Sequence, residues 1–194
     1  TLSSSSAASD VYKRQPEGRI LGAQIVGSEG VDRRIDLLAV SVQKGMTVYD
    51  LQTLELAYAP PYGSGKDAIN MAGFVGANIL EGTMPIEHCD QLKEGDYILD
   101  VRTRKEYERG AVPGAVNIPV DELRGRLGEM PGGKVIYVYC GVGIRSYAAV
   151  RILLQNGYNA KNLCGGYLTW CAFTHQHVEE SQSAKQLKEE FGVL

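Results

Sequence analysis

Residues 135–151 read VIYVYCGVGIRSYAAVR, and the order of events in that stretch decides the fold. Its first five residues are β-branched or aromatic, a short continuous run of the kind that fills a strand buried on both faces. Gly141 and Gly143 break the run, and from Arg145 to Asn156 the apolar residues recur at helical spacing. A strand that passes through a glycine loop into a helix is the repeating step of a parallel α/β sheet. Cys140 stands at the junction, at the carboxyl end of the strand, where open α/β sheets place their ligands.

Reading outward, the same alternation predicts strands at 97–101, 115–117 and 160–163 besides 135–139. Helices are predicted at 103–109, 121–127, 145–156 and 167–173. The fold class is therefore α/β, a parallel sheet flanked by helices over residues 84–175. Glu81 to Pro85 reads as a linker, and a different module precedes it.

The junction loop carries the chemistry. Successive backbone N–H groups of a glycine-containing loop at a helix N-terminus form a cradle for negative charge, which favours thiolate over thiol. Gly141 and Gly143 allow the curl, and Arg145 supplies a permanent positive charge suited to the sulfonate or thiolate end of a sulfur donor. The competing reading makes Cys140 a small core hydrophobe, the usual fate of a lone cysteine. A structural cysteine has no need of the two glycines and the arginine, so nucleophilic sulfur chemistry is the stronger expectation.

Composition narrows the classes. With 20 basic and 23 acidic residues and a formal charge of −3, the chain has no basic stripe to neutralise nucleic-acid phosphates. No apolar run reaches the roughly 20 residues that cross a bilayer, and nothing reads as a signal peptide, so no membrane partner and a cytoplasmic location are expected. Cys89, Cys140, Cys164 and Cys171 form no CxxC pair, which argues against a zinc site and against a disulfide framework. No metal is expected. His88, His175 and His177 read as surface residues.

Before the linker, residues 16–80 form a second module. GRILGAQIVG alternates like a strand, and VDRRIDLLAVSVQKG sets Ile35, Leu38 and Val42 on one helical face, closed by Gly45. After a Pro-Pro and glycine-rich loop, KDAINMAGFVGANIL supplies another apolar helix ending near Leu80. Residues 1–15 are serine-rich without apolar period, and their end, SDVYKRQ, resembles a translated sequencing adapter. They are expected to be a non-native or disordered leader, and residues 176–194 a solvated tail without assigned function.

The stretches YILDVRTRKEYERGAVPGAVNIP, VIYVYCGVGIRSYAAVRILLQNGY and NLCGGYLTW resemble a single-domain rhodanese along its length. In that family the loop cysteine takes a sulfane sulfur as a persulfide and passes it to a thiol. The resemblance therefore implies that Cys140 is catalytic and that Gly141, Val142, Gly143, Ile144, Arg145 and Ser146 form the donor-binding loop. Asp100 and Arg102 match the DVR motif, whose aspartate helps order the loop, and Glu106 matches the helix acid. Where the family has GHIPGA this chain has GAVPGA, with Ala111 in place of the histidine. Tyrosine-phosphatase-like enzymes are the nearer alternative chemistry, but they separate Cys and Arg by five residues. Here four intervene, and Tyr139 precedes the cysteine where a histidine would be expected.

GRILGAQIVGSEGVDRRIDLLAVSVQKGMTVYDL and LELAYAPPYGSGKDAINMAGFVGANIL resemble the carboxyl-terminal dimerisation domain of pyridine nucleotide-disulfide oxidoreductases. Within them the likeness is to coenzyme A-disulfide reductases and NADH-dependent persulfide reductases that carry a fused rhodanese. The resemblance implies an incomplete α+β dimerisation domain in a fragment of such an enzyme, a homodimer in the parent, and a tyrosine, Tyr58, that reaches towards the partner's site. FAD, NAD(P)H and coenzyme A are expected for the parent. The fragment has no GxGxxG fingerprint after a strand and is expected to hold no cofactor itself. The expected activity is sulfur transfer from a small sulfane-sulfur donor to a thiol acceptor. The alternative is a non-catalytic rhodanese-like interaction module joined to a dimerising segment.

Overall fold

The computed structural model describes residues 8–14, 17–27, 29–59, 63 and 65–174, the first seven as backbone only. The chain divides into two compact units at Thr83 and Met84.

In the first unit, β1 (Ala8–Arg14) pairs antiparallel with β2 (Arg19–Val26), and three helices follow: α1 (Val31–Gln43), α2 (Val48–Thr53) and α3 (Ala68–Leu80). Leu38 of α1 is fully buried, with Leu37 and Val42 packed around it, and the helix closes on Gly45, whose φ of 68° only glycine adopts without cost. The α2 helix has no apolar period long enough to announce it. It forms because Thr47 and Asp50 cap it reciprocally, and Val48 and Leu51 bury fully beneath it. Asp67 and Asn70 cap α3 in the same way, and the buried Asn70 amide donates to the Leu51 and Leu54 carbonyls at 2.9 and 3.0 Å. Within the 1–15 leader, Ala8–Arg14 runs as a strand because its backbone finds a partner ladder in β2.

The second unit comprises β3 (Ile86–Glu87), β4 (Tyr97–Asp100), α4 (Arg104–Glu108), β5 (Val116–Asn117), α5 (Val120–Leu123), β6 (Val135–Tyr139), α6 (Ile144–Gln155), β7 (Asn159–Leu163) and α7 (Gly166–Phe173). Its five strands lie in the order β3-β7-β6-β4-β5, and every pairing is parallel. Strand residues alternate between two apolar layers, as a sheet covered on both faces requires. Leu99, Ile136, Val138 and Ala160 join Ala149, Val150 and Leu153 of α6 in one layer. Ile98, Tyr139 and Leu163 join Trp170 and Cys171 of α7 in the other.

The strands expected from the sequence fall where the alternation puts them. β3 is additional, two residues held by parallel bonds to β7 and too short to carry a period. The helix expected at 121–127 ends at Leu123 and is followed by a 3₁₀ turn, Leu127–Glu129, with Gly125 in between. The expected tail, 176–194, lies outside the described residues, as do His175 and His177.

Candidate functional site

The buried strand β6 delivers Cys140 to the carboxyl edge of the sheet, and residues 141–143 turn the chain into α6. Gly143, at φ 125°, is the N-cap, a conformation that side chains resist, so its glycine is a requirement of the turn. The turn aims the loop's N–H groups at the sulfur. Cys140 Sγ accepts from the Gly143 N–H at 3.1 Å and from the Ser146 hydroxyl at 3.5 Å, and that hydroxyl also lies 3.1 Å from the Gly143 carbonyl. Burial pushes the Cys140 thiol up. The Ser146 hydroxyl and the backbone N–H groups of Ser146, Gly143 and Val142 outweigh it, and the net effect is a thiol that ionises below its ordinary value.

The loop is held from behind. The N–H groups of Tyr167 and Leu168 donate to the Cys140 and Gly141 carbonyls at 2.8 and 3.1 Å, which ties the loop to the start of α7. That approach depends on Gly166. Its φ is 60°, and a Cβ there would stand 2.5 Å from the Cys140 carbonyl oxygen.

Asp100 and Arg102 do not touch the sulfur. Asp100 is wholly buried, and its carboxylate accepts from the Arg102 backbone N–H, Nε and Nη2 at 2.7–3.1 Å. Arg102 Nη2 also donates to the Gly110 carbonyl at 2.7 Å, and the guanidinium lies 4.0 Å over the Tyr167 ring. Tyr167 in turn stacks between Tyr139 and Trp170, with ring centroids 6.2 and 5.9 Å away. The pair thus reaches the loop through an aromatic stack, a route that the DVR motif does not reveal. Tyr139, noted in the sequence only as standing where a histidine would be expected, and Tyr167, not singled out there, both enter the site's support.

Arg145 is placed beside the loop, and its terminal nitrogens both donate to Glu106, at 2.7 Å each. Read from the sequence, Arg145 is a free charge and Glu106 only a helix acid; they lie 39 positions apart, and the fold alone brings them together. Val142 is half-buried in the loop, and Ile144 is 64% exposed. Tyr58 belongs to the first unit and is 55% exposed. Cys171 is fully buried in α7 and Cys164 partly buried before it.

A shallow open concavity lined by Arg104, Tyr107, Glu108, Asn117 and Arg126 contains none of the loop residues. Its two arginines are paired to Glu122 and Glu129, so it offers no competing site of comparable chemistry. Among the described residues no group of His, Cys, Asp and Glu is arranged to hold a metal, and no helix is long and apolar enough to cross a membrane.

Residues 85–173 match the Rhodanese-like domain family. Coenzyme A disulfide reductase of Staphylococcus aureus (strain bovine RF122 / ET3-1) is 48% identical over 64 residues, covering 33% of this chain and 15% of that protein. Among solved structures, reduced CoADR-RHD of Bacillus anthracis superposes with a TM-score of 0.83 at 39% identity, covering 89% of this chain and 32% of that one. A NAD-dependent persulfide reductase from A. fulgidus does so at 0.75 and 38% identity, covering 84% of this chain and 30% of that one. The chain thus spans about a third of the length of these solved relatives. With a parallel sheet of this order and a cysteine loop at its edge, the chain carries a rhodanese-like domain over residues 85–173, and over most of its length it is similar to part of the coenzyme A disulfide and persulfide reductases.

Proposed function

We propose that the second unit is a sulfur carrier in which the Cys140 thiolate takes the sulfane sulfur of a small donor, holds it as a persulfide and yields it to a thiol. The observation that carries this reading is the sulfur itself, sitting as hydrogen-bond acceptor for Gly143 and Ser146 at the strand-to-helix turn. The N–H groups that stabilise a thiolate serve equally for a persulfide anion one sulfur longer, since both are soft monoanions at the same helix N-terminus. Gly141, Val142, Gly143, Ile144 and Ser146 frame the cradle, and Asp100 with Arg102 keeps it in place through Tyr167.

In the parent enzyme the loaded sulfur would pass to a flavin-dependent half that uses NAD(P)H to reduce persulfide or coenzyme A disulfides. The first unit would belong to a dimerisation domain whose Tyr58 serves the partner's site. FAD, NAD(P)H, coenzyme A and the homodimer are assigned to that parent, and a cytoplasmic location suits a reactive thiolate that must stay reduced.

The test is intact mass before and after exposure to thiosulfate or coenzyme A persulfide, followed by peptide mapping. The expected result is a gain of one sulfur, located on Cys140 and removed by excess thiol. No gain with either donor would favour a docking module that keeps its cysteine for packing, and a gain mapped to another cysteine would overturn the assignment.

A further inference from the structure

An ion pair lies beside the Cys140 loop. Arg145 lies along it, with Nη2 3.6 Å from where a Cβ on Gly141 would stand. Nη1 donates to Glu106 Oε2 and Nη2 to Oε1, a bidentate pair whose side chains are 37% and 27% exposed. Glu106 cannot swing away freely. Its Oε2 also accepts from the Thr103 N–H and hydroxyl at 2.9 and 2.7 Å as the cap of α4. Arg145, burial opposing it, and the Thr103 contacts leave its carboxyl at about 2, so it is anionic wherever the enzyme would work. The charge of Arg145 is therefore offset in place, and its guanidinium is held charged first by Glu106 and to a lesser degree by the nearby Cys140 thiolate.

We propose that Glu106 sets donor specificity: by pinning and neutralising Arg145 it selects against dianionic donors such as thiosulfate. The loop is left to donors whose sulfane sulfur is borne on a thiol and carries at most one charge. This rests on the sulfur-carrier reading and concerns only the charge that the loop accepts.

The two transfers differ in the charge they gather. With thiosulfate, the Cys140 sulfur attacks the outer sulfur, the S–S bond breaks and sulfite leaves with the electron pair. The reacting groups then carry three negative charges in total before and after. With a protonated thiol persulfide, attack on the terminal sulfur releases the thiolate, Cys140 carries the S–SH group, and a single negative charge is conserved. Neither reaction needs an oxidant or reductant. A trianionic transition state requires an available cation, and the one beside the loop is already engaged by Glu106.

The experiment compares initial rates of sulfur loading, followed by intact mass, from thiosulfate and from 2-mercaptoethanol persulfide generated in the assay. Glu106→Gln keeps an acceptor for the Thr103 cap but removes the charge, and it is expected to raise the thiosulfate rate about tenfold while moving the persulfide rate less than about twofold. Thr103→Ala weakens the same cap without changing charge and is expected to leave the ratio of the two rates unchanged. In the unmutated chain the thiosulfate rate should rise with ionic strength, because salt screens a net repulsion. Equal changes with both donors in Glu106→Gln, or a wild-type thiosulfate rate that falls with salt as it would at a free arginine, would overturn the proposal. Should the unmutated chain load from neither donor, it is the carrier reading that fails.

Discussion

Cys140→Ser is expected to abolish sulfur loading, with transfer falling on the order of a thousandfold or more, the scale on which loss of a covalent nucleophile is felt. The site is built around a soft, ionisable atom. Burial works against ionisation at Cys140, and the Ser146 hydroxyl with the loop N–H groups overcomes it, for a thiol whose ordinary value, about 8.5, already lies within reach of neutral pH. A serine hydroxyl ionises so much less readily that the same cradle cannot bring it to an alkoxide. The substitution is nearly isosteric, and the Gly143 N–H that now meets Sγ at 3.1 Å would find an oxygen instead. Thermal unfolding should therefore move by only a few degrees. Intact mass after donor treatment checks the first half of the expectation and a melting curve the second; loading that persists undiminished in a folded variant would mean another thiol carries the sulfur.

The second large effect lies behind the loop. Asp100→Ala is expected to destabilise the chain by about 3–5 kcal/mol, since it strands a buried arginine without its counter-ion. Asp100 is fully buried and the Arg102 side chain 5% exposed, so water cannot readily replace the carboxylate. The Gly110 carbonyl and the Tyr167 face remain to Arg102, but neither neutralises it. Asp100→Asn should fall between, because the amide keeps one acceptor for Arg102 and loses the charge. Urea unfolding of the three proteins would show the series, and a loss below about 1 kcal/mol for Asp100→Ala would mean that Arg102 rotates out to solvent.

The residues that could be read in advance are those whose function is local. VIYVYCGVGIRS gave strand, loop and helix because each step depends on neighbours within a few positions, and the glycines marked where the backbone must curl. The capping pairs Thr47 with Asp50 and Thr103 with Glu106 were equally local. Their helices are one turn or little more, however, and an apolar period cannot show in so short a span. What stayed hidden is contact at a distance. Glu106 and Arg145 meet only because β4 and β6 are neighbours in the sheet and send their following residues to the same edge. The Arg102 to Tyr167 stack joins two elements that flank that edge from different parts of the chain. No spacing rule connects such residues.

Being the middle strand of five, with β4 bonded along one side and β7 along the other, β6 makes the reactive loop an extension of the most protected backbone in its unit. The peripheral strands β3 and β5, two residues each, can fray and re-form without disturbing it. Amide hydrogens of 135–139 then exchange with solvent only when the whole unit opens. Heat would accordingly not inactivate such a site piecemeal: its lifetime is the lifetime of the folded unit.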